Sequence, residues 1–204
     1  LLNFTQEERL DCSEYTIFLT LAYTGLRAGE LCGLKWSDID FENKTLQVNR
    51  TYYNPTNTLT GYILQTPKTK KSRRTIEISD KLITELKVHK ARQNKIKLKH
   101  ANIWFDEDFV FVRERHPVYP IYVKFIGIRM ARLLKIAGLP EHLTPHSLRH
   151  THTSLLAEAK VSLEEIMERL GHGDDDTTKQ VYLHVTKTMK KEAAQKFEKL
   201  MSNL

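Results

Sequence analysis

Helix start and stop signals divide this chain into short helices and constrain its fold more than any other feature of the sequence. Thr5 and Ser162 each stand three residues before a glutamate, and such a capping box satisfies backbone N–H groups at the start of a helix. Gly25, Gly138 and Gly171 are expected to end helices. Together these signals predict helices over about residues 6–24, 27–34, 79–99, 121–137, 144 onward, 162–170, 176 onward and 187–201.

Three short segments are expected to form strands, over about residues 46–49, 61–64 and 74–78. The residues between the last two carry a run of cations and are expected to form a hairpin turn. Residues 101–120 contain aromatic side chains and two prolines, which favour a connecting segment. The sequence therefore predicts one domain over residues 1–204, mainly α with a small antiparallel β-sheet (an α+β fold).

Positive charge is concentrated in two parts of the chain, which has a formal net charge of +7 and a pI near 9.3. Residues 68–74 hold five cations and residues 87–99 hold six more. A basic balance favours a polyanionic partner, and nucleic acid fits this balance better than a membrane surface does. The alternative is a solvated, lysine-rich face. If the partner is nucleic acid, its binding should weaken steeply as the salt concentration rises.

Signals of secretion and of membrane insertion are missing from the sequence. The two cysteines, Cys12 and Cys32, do not suggest the disulfide framework of a secreted protein. We find no signal peptide and no run of 18 apolar residues that could span a bilayer, so we expect a cytoplasmic protein with no membrane partner. The chain begins at Leu1 and reaches a helix start almost at once, so we expect a piece of a longer protein.

The sequence gives little support for a bound metal ion or cofactor. It contains neither a phosphate-binding P-loop nor a His-Glu-x-x-His motif. His146, His150 and His152 could suggest zinc, but no cysteine or matched acidic ligand stands nearby. The acidic residues 174–176 lack the ligand spacing of a calcium loop and are expected to form a solvated turn. We therefore expect no cofactor and no metal site.

Two segments place cationic side chains near helix starts. His146 and Arg149 are three residues apart in the first turn of a predicted helix, so both should project from one face, where the helix dipole favours an anion. The alternative for this pair is a surface His and Arg near a helix start. Arg27 follows a glycine turn, and it is either paired with Glu30 in a structural role or directed into a site. Two arginines could together neutralise the non-bridging oxygens of a phosphodiester.

A histidine and a tyrosine near the C-terminal end could complete such a site. His172 directly follows the glycine that ends a predicted helix, and Tyr182 lies on the next one. Either residue alone would more often have a structural role. A phenol can nevertheless act as a nucleophile when nearby cations and a base favour its oxyanion.

The order and spacing of these segments, over roughly residues 5–190, resemble the catalytic domain of the tyrosine recombinases, the phage integrase family. Residues 24–31 (TGLRAGEL) resemble the first arginine box of that family. Residues 144–150 (TPHSLRH) resemble its His-x-x-Arg box, and residues 170–185 resemble its final His and Tyr box. The last box is similar to that of integrases from Gram-positive phages and conjugative elements. The resemblance implies a site-specific recombinase or integrase of a phage or integrative mobile element.

The resemblance also implies a role for each matching residue. Tyr182 would attack the scissile phosphate and form a 3′-phosphotyrosyl bond, which conserves the energy of the phosphodiester and removes the need for ATP or a metal ion. Arg27 and Arg149 would hold the phosphate. His172 would donate a further hydrogen bond, and His146 would act as the base toward the tyrosine.

Supporting roles follow from the same resemblance. Glu30 matches an acidic position of the family and would orient the site. A family lysine protonates the departing 5′-oxygen, and Lys68 fits this position best, with Lys70 and Lys71 as close rivals. We assign DNA contacts in the basic run to Lys70, Lys71 and Arg73.

The resemblance further implies double-stranded DNA as the partner and a homo-tetramer assembled on it. A separate DNA core-binding domain would be absent from this chain. Residues 187–204 would form a C-terminal helix that either caps its own domain or docks in trans onto a neighbouring protomer. Two alternatives are a type IB topoisomerase, which would share the nucleophile and the cationic site, and a DNA-binding module without activity.

Overall fold

The computed structural model describes residues 12–56, 58–67, 72–99, 107–113, 116, 119–171 and 176–202. The helices in these ranges are α1 (Cys12–Thr24), α2 (Ala28–Cys32), α3 (Asp80–Lys99), α4 (Val123–Ile136), α5 (Pro145–Glu158), α6 (Leu163–Leu170) and α7 (Asp176–Met201). The strands are β1 (Ile39–Asp40), β2 (Thr45–Val48), β3 (Thr51–Tyr53), β4 (Ile63–Gln65) and β5 (Arg74–Glu77). All strand pairs among the described residues are antiparallel, so the predicted fold class is confirmed, although these strands form two sheets rather than one.

The predicted helix boundaries are most accurate where a cap or a glycine sets them. Ser162 and Glu165 form the expected capping box at the start of α6, and the Ser162 N–H donates to Glu165 Oε2 at 3.0 Å. Gly171 ends α6 with a φ of 71°, which a side chain would make costly. Pro145 occupies the first position of α5, where its missing N–H costs nothing.

The basic segment between β4 and β5 is not the hairpin turn that we expected. β3 pairs with β4 and β2 pairs with β5, so the strands on either side of this segment belong to different sheets. Two residues separate β2 from β3, whereas residues 66–73 separate their partners. Residues 66–73 therefore connect strands of two different sheets, whereas residues 54–62 connect β3 and β4, which pair with each other.

Apolar side chains form a main core and a smaller second cluster. The main core joins α1, the three-stranded sheet β1-β2-β5, α3 and α4, and its fully buried members include Phe18, Leu46, Leu86 and Ile126. The second cluster consists of Ala157, Ile166 and Leu170, against which Tyr182 and Val185 pack. This cluster fastens α7 to α5 and α6, and it determines where the tyrosine lies.

The two helices expected after residue 176 form one continuous helix, α7, so the predicted break before residue 187 is wrong. The reason is local, because residues 176–201 contain neither glycine nor proline. None of the helices in the described part of the chain has the length and apolar content needed to cross a membrane.

Candidate active site

Arg149 connects the segments that carry the other candidate residues. Its side chain projects from α5 and is only 2% exposed. Nη1 donates to the carbonyl oxygen of Gly25, and Nη2 donates to that of Leu170 at 2.6 Å. Because Arg27 follows Gly25 and His172 follows Leu170 by two residues each, one guanidinium joins both candidate segments to α5. The carbonyls carry no net charge, so these two bonds hold the guanidinium without neutralising it.

The Gly25 turn requires glycine for two independent reasons. Its φ of 65° lies in the left-handed region. A Cβ at this position would lie 2.8 Å from Cδ2 of His152 and 2.8 Å from Cδ2 of Leu170. The turn that leads to Arg27 is therefore packed directly against α5 and the last turn of α6.

Glu30 organises the arginines at the start of α2. Its carboxylate accepts from the backbone N–H of Arg27 at 2.9 Å and from Nη1 of the same residue at 3.1 Å. It also accepts two hydrogen bonds from Arg74 of β5, at 2.9 and 3.1 Å. The side chains of Glu30 and Arg74 are each 4% exposed, whereas that of Arg27 is 42% exposed. Arg27 therefore pairs with Glu30, as the first alternative expects, and its side chain still reaches the surface.

Burial and the arginine partners of Glu30 shift its pKa in opposite directions. Burial acts to raise it, but the hydrogen bond and charge of Arg74 and the contacts with Arg27 outweigh burial. The pKa of this carboxyl is therefore lowered below its usual range, and Glu30 is ionised at neutral pH.

Replacing Glu30 by glutamine is expected to lower the free energy of unfolding by about 3–5 kcal/mol, because Arg74 would keep a buried charge without its carboxylate. Glutamine has nearly the same shape, so the loss would report the charge rather than a cavity. Urea unfolding followed by circular dichroism measures the effect. Glu85→Gln, which removes the exposed pair with Lys81, is the matched control and should change stability far less. Equal losses of stability in both variants would contradict the claim that the buried charge of Glu30 stabilises the fold through Arg74.

Two further side chains, Arg169 and His152, belong to the hydrogen-bond network around the Gly25 turn and the end of α6. The sequence motifs did not indicate this role for them. Arg169 donates from Nε to Nε2 of His152 at 3.1 Å, and Nδ1 of that ring contacts the carbonyl of Ala22 at 2.9 Å. The neutral ring therefore carries its hydrogen on Nδ1. Burial, and next the positive charge of Arg169, lower the pKa of His152 to about 4. The sequence offers only their positions as a signal. Arg169 stands beside Leu170, and His152 stands three residues after Arg149.

Tyr182 lies on α7 next to the same structural elements. Its half-buried side chain packs against the cluster of Ala157, Ile166 and Leu170. Leu170 also supplies the carbonyl that Arg149 binds. The candidate nucleophile therefore packs against the cluster that includes Leu170, and the candidate cation binds the backbone of that same residue.

The expected pairing of His146 with Arg149 on one face is only partly realised. His146 is exposed, and its ring lies 4.6 Å from the ring of His150, whereas Arg149 points into the interior. His152 is also directed inward, toward Ala22. The histidines considered for zinc therefore do not converge, and within the described ranges no three His, Cys, Asp or Glu side chains could hold a metal ion.

Several predicted site residues lie outside the described residues. They are His172 and the three lysines of the basic segment, Lys68, Lys70 and Lys71. Arg73, immediately before β5, is described and exposed.

Comparisons with known proteins agree with the motifs. The model of the phage integrase family matches residues 1–189. The integrase of Staphylococcus phage L54a is 37% identical over 181 residues, which cover 88% of this chain and 50% of the relative. A XerC-like tyrosine recombinase of Caldanaerobacter subterraneus is 37% identical over 188 residues, covering 88% and 47%. The chain thus spans about half the length of these curated relatives.

A solved structure shares the fold. The Tn1549 transposon integrase, solved in complex with transposon right end DNA, superimposes with a TM-score of 0.77 at 25% sequence identity. The match covers 95% of this chain and 62% of the other.

Proposed function

We propose, from the premise that this chain belongs to the phage integrase family, that it is the catalytic part of a site-specific DNA recombinase. The recombinase would serve a phage or an integrative mobile element and act in the cytoplasm. It would cleave and rejoin DNA strands through a 3′-phosphotyrosyl intermediate. Residues 1–204 would form a single catalytic domain, and a DNA core-binding domain would lie outside them.

One observation carries this proposal. Arg149 binds the carbonyls of Gly25 and Leu170, and thereby gathers the Arg27 turn and the end of α6 around a single guanidinium. Tyr182 packs against the cluster of Ala157, Ile166 and Leu170, which contains the residue whose carbonyl Arg149 binds. A phosphodiester placed at this junction would have two arginines and a phenol from three separate elements around it.

The proposed reaction needs no cofactor. The phenolic oxygen of Tyr182 bonds to phosphorus as the bond from phosphorus to the 5′-oxygen breaks. The phenolic proton passes to His146, and Lys68, or one of its rivals Lys70 and Lys71, protonates the departing oxygen. Rejoining reverses these steps when a 5′-hydroxyl attacks the phosphotyrosine.

The arginines would stabilise the pentacoordinate phosphorus. The carbonyls that Arg149 binds are uncharged, so its guanidinium keeps the positive charge that a phosphate needs. Arg27 is exposed and oriented by Glu30, which suits a group that meets its ligand from solvent. His172 would donate a further hydrogen bond to the phosphate. Such fixed donors act mainly on the charge that develops in the transition state.

Double-stranded DNA is the proposed partner, and Lys70, Lys71 and Arg73 are proposed to contact its backbone. We expect DNA affinity to fall by at least about 100-fold between roughly 50 and 200 mM salt, as contacts with about four phosphates require. Changing these three residues to glutamine should reduce the slope of log Kd against log salt by about one for each lost contact. The control replaces three exposed lysines outside both basic runs, Lys124, Lys135 and Lys160, by glutamine. Fluorescence anisotropy gives both slopes, and equal slopes for the two triple variants would contradict the assignment.

The C-terminal end of α7 suits assembly of a homo-tetramer on DNA. Phe197, Leu200 and Met201 are each more than half exposed there. We propose that residues 187–204 dock in trans onto a neighbouring protomer, because burial of these side chains would be favourable. Light scattering of the protein on DNA, with and without residues 187–204, measures the assembly. Loss of the tetramer when these residues are removed supports docking in trans, and an unchanged assembly supports a local helix cap.

The proposed function is tested by trapping the covalent complex. The full-length protein is incubated with nicked duplexes that span the attachment sites at the ends of its element, since loss of the short nicked strand blocks rejoining. We expect an adduct that survives denaturation and, after digestion, a nucleotide attached to the peptide that contains Tyr182. No adduct, or attachment to a different residue, would overturn the proposal.

A further inference from the structure

Arg149 is not the only side chain that holds the Gly25 turn against the end of α6. His152 follows Arg149 on α5, and its Cδ2 lies 2.8 Å from the point where a Cβ on Gly25 would stand. Leu170 of α6 approaches that point equally closely. The imidazole is fixed in turn by its contact with the carbonyl of Ala22 in α1. The buried ring therefore fills the space where α1, α5 and α6 meet.

Arg169 ties the last turn of α6 to three other elements. Besides its bond to His152 on α5, it donates from Nη2 to the carbonyl of Tyr23 in α1 at 3.2 Å. The same Nη2 donates to the carbonyl of Glu77 in β5 at 3.0 Å. The backbone carbonyl of Arg169 accepts from Nε of Arg74 at 2.7 Å. This single residue therefore fixes α6 immediately before the Leu170–Gly171 end.

We infer that Arg169 and His152 form a positioning pair that sets the geometry of the Gly25 turn before Arg27 and of the Leu170–Gly171 end of α6. The inference rests on the proposed function, since it concerns the same site. Neither member of the pair has to touch DNA, because both act through the Gly25 turn and the end of α6. Small displacements of catalytic groups are costly, and a shift of about 1 Å can slow a reaction by about 100-fold.

The two contacts of His152 require the neutral form of its imidazole. Only the neutral ring can donate to the carbonyl of Ala22 from one nitrogen and accept from Arg169 with the other. The low pKa of His152 keeps the ring in this form at neutral pH. The charged groups that face the ring belong to Arg169 on α6 and to Arg149 on α5, and both disfavour its protonation.

Two substitutions separate the positioning contact from simple packing. His152→Gln places an amide oxygen about where Nε2 lies and so keeps an acceptor for Arg169. His152→Asn reaches only about as far as Nδ1, and so keeps the contact with Ala22 while losing the acceptor. We expect His152→Asn to slow covalent complex formation by at least about tenfold, and His152→Gln to stay within about threefold of the original protein. The affinity for DNA should change less than about twofold in both, since neither substitution alters a phosphate contact.

Single-turnover trapping on the nicked duplexes measures the rates, and hydrogen exchange at residues 25–26 and 170–171 without DNA measures the geometry. Faster exchange in His152→Asn than in His152→Gln, with the matching difference in rates, supports the pair. Equal rates and equal exchange for the two variants would overturn it. If the original protein forms no adduct but exchange still separates the variants, the proposed function fails while the positioning pair stands.

Discussion

Replacing Arg149 by lysine is expected to slow covalent complex formation by at least about 100-fold, because an ammonium cannot reproduce a planar guanidinium that donates in several fixed directions. In the structure the guanidinium spans Gly25 and Leu170, and it would have to serve a phosphate from the same position. Lysine keeps the positive charge, so long-range attraction of DNA is retained. Affinity for DNA should therefore change less than about threefold, because many backbone contacts share in binding. Single-turnover trapping with the nicked duplexes, beside anisotropy titrations, measures both quantities.

Arg149→Ala should lose stability as well as activity. It leaves two buried carbonyls without their donors, and each can cost about 1–3 kcal/mol. An inactive alanine variant would therefore mix a catalytic loss with a structural one. Arg149→Lys is the sharper experiment when unfolding in urea shows that it remains folded.

Arg113 provides the matched control. Its Nε donates to the carbonyl of Pro120 at 3.0 Å, and its guanidinium lies over the ring of Tyr122, so it too is an arginine with a backbone partner. Arg113→Lys should leave covalent complex formation unchanged. A comparable loss of rate in both variants would show that Arg149 acts only through the fold.

The helices could be predicted because their signals are local. The capping box at Ser162 and the proline at the start of α5 act within one helical turn, and both elements begin where the sequence placed them. The fold class and the family motifs could be predicted for the same reason, because both depend on short stretches of the sequence. The break expected before residue 187 had no such signal behind it, and α7 is continuous there.

The strand pairing and the buried network could not be predicted in this way. A hairpin turn at the basic segment requires that β4 and β5 pair with each other, whereas β4 pairs with β3 and β5 pairs with β2. Arg74 meets Glu30 across 44 residues, and Arg149 meets Gly25 across 124. Such contacts depend on how the elements pack, so the motif indicated that Arg149 is important but not that it also holds the fold together.

Tyr182→Phe is expected to abolish the covalent protein–DNA complex, because phenylalanine lacks the oxygen that would bond to phosphorus. Stability should change little, since the ring that packs against Ala157, Ile166 and Leu170 is retained. Affinity for DNA should also be retained, because the cations that would contact the backbone are unchanged. Denaturing gels of the nicked-duplex reaction measure the adduct, and urea unfolding checks the fold.

Tyr23→Phe is the matched control for the loss of a phenolic oxygen near the site. Tyr23 lies at the end of α1, its side chain is exposed, and its backbone carbonyl accepts from Arg169. The substitution removes a hydroxyl but keeps that backbone contact, so adduct formation should match the original protein. An adduct that persists in Tyr182→Phe would assign the nucleophile to another residue. Loss of the adduct in both variants would mean that the assay responds to a general disturbance of the site. Loss in Tyr182→Phe alone, with the fold and DNA binding intact, is the result that a nucleophilic Tyr182 requires.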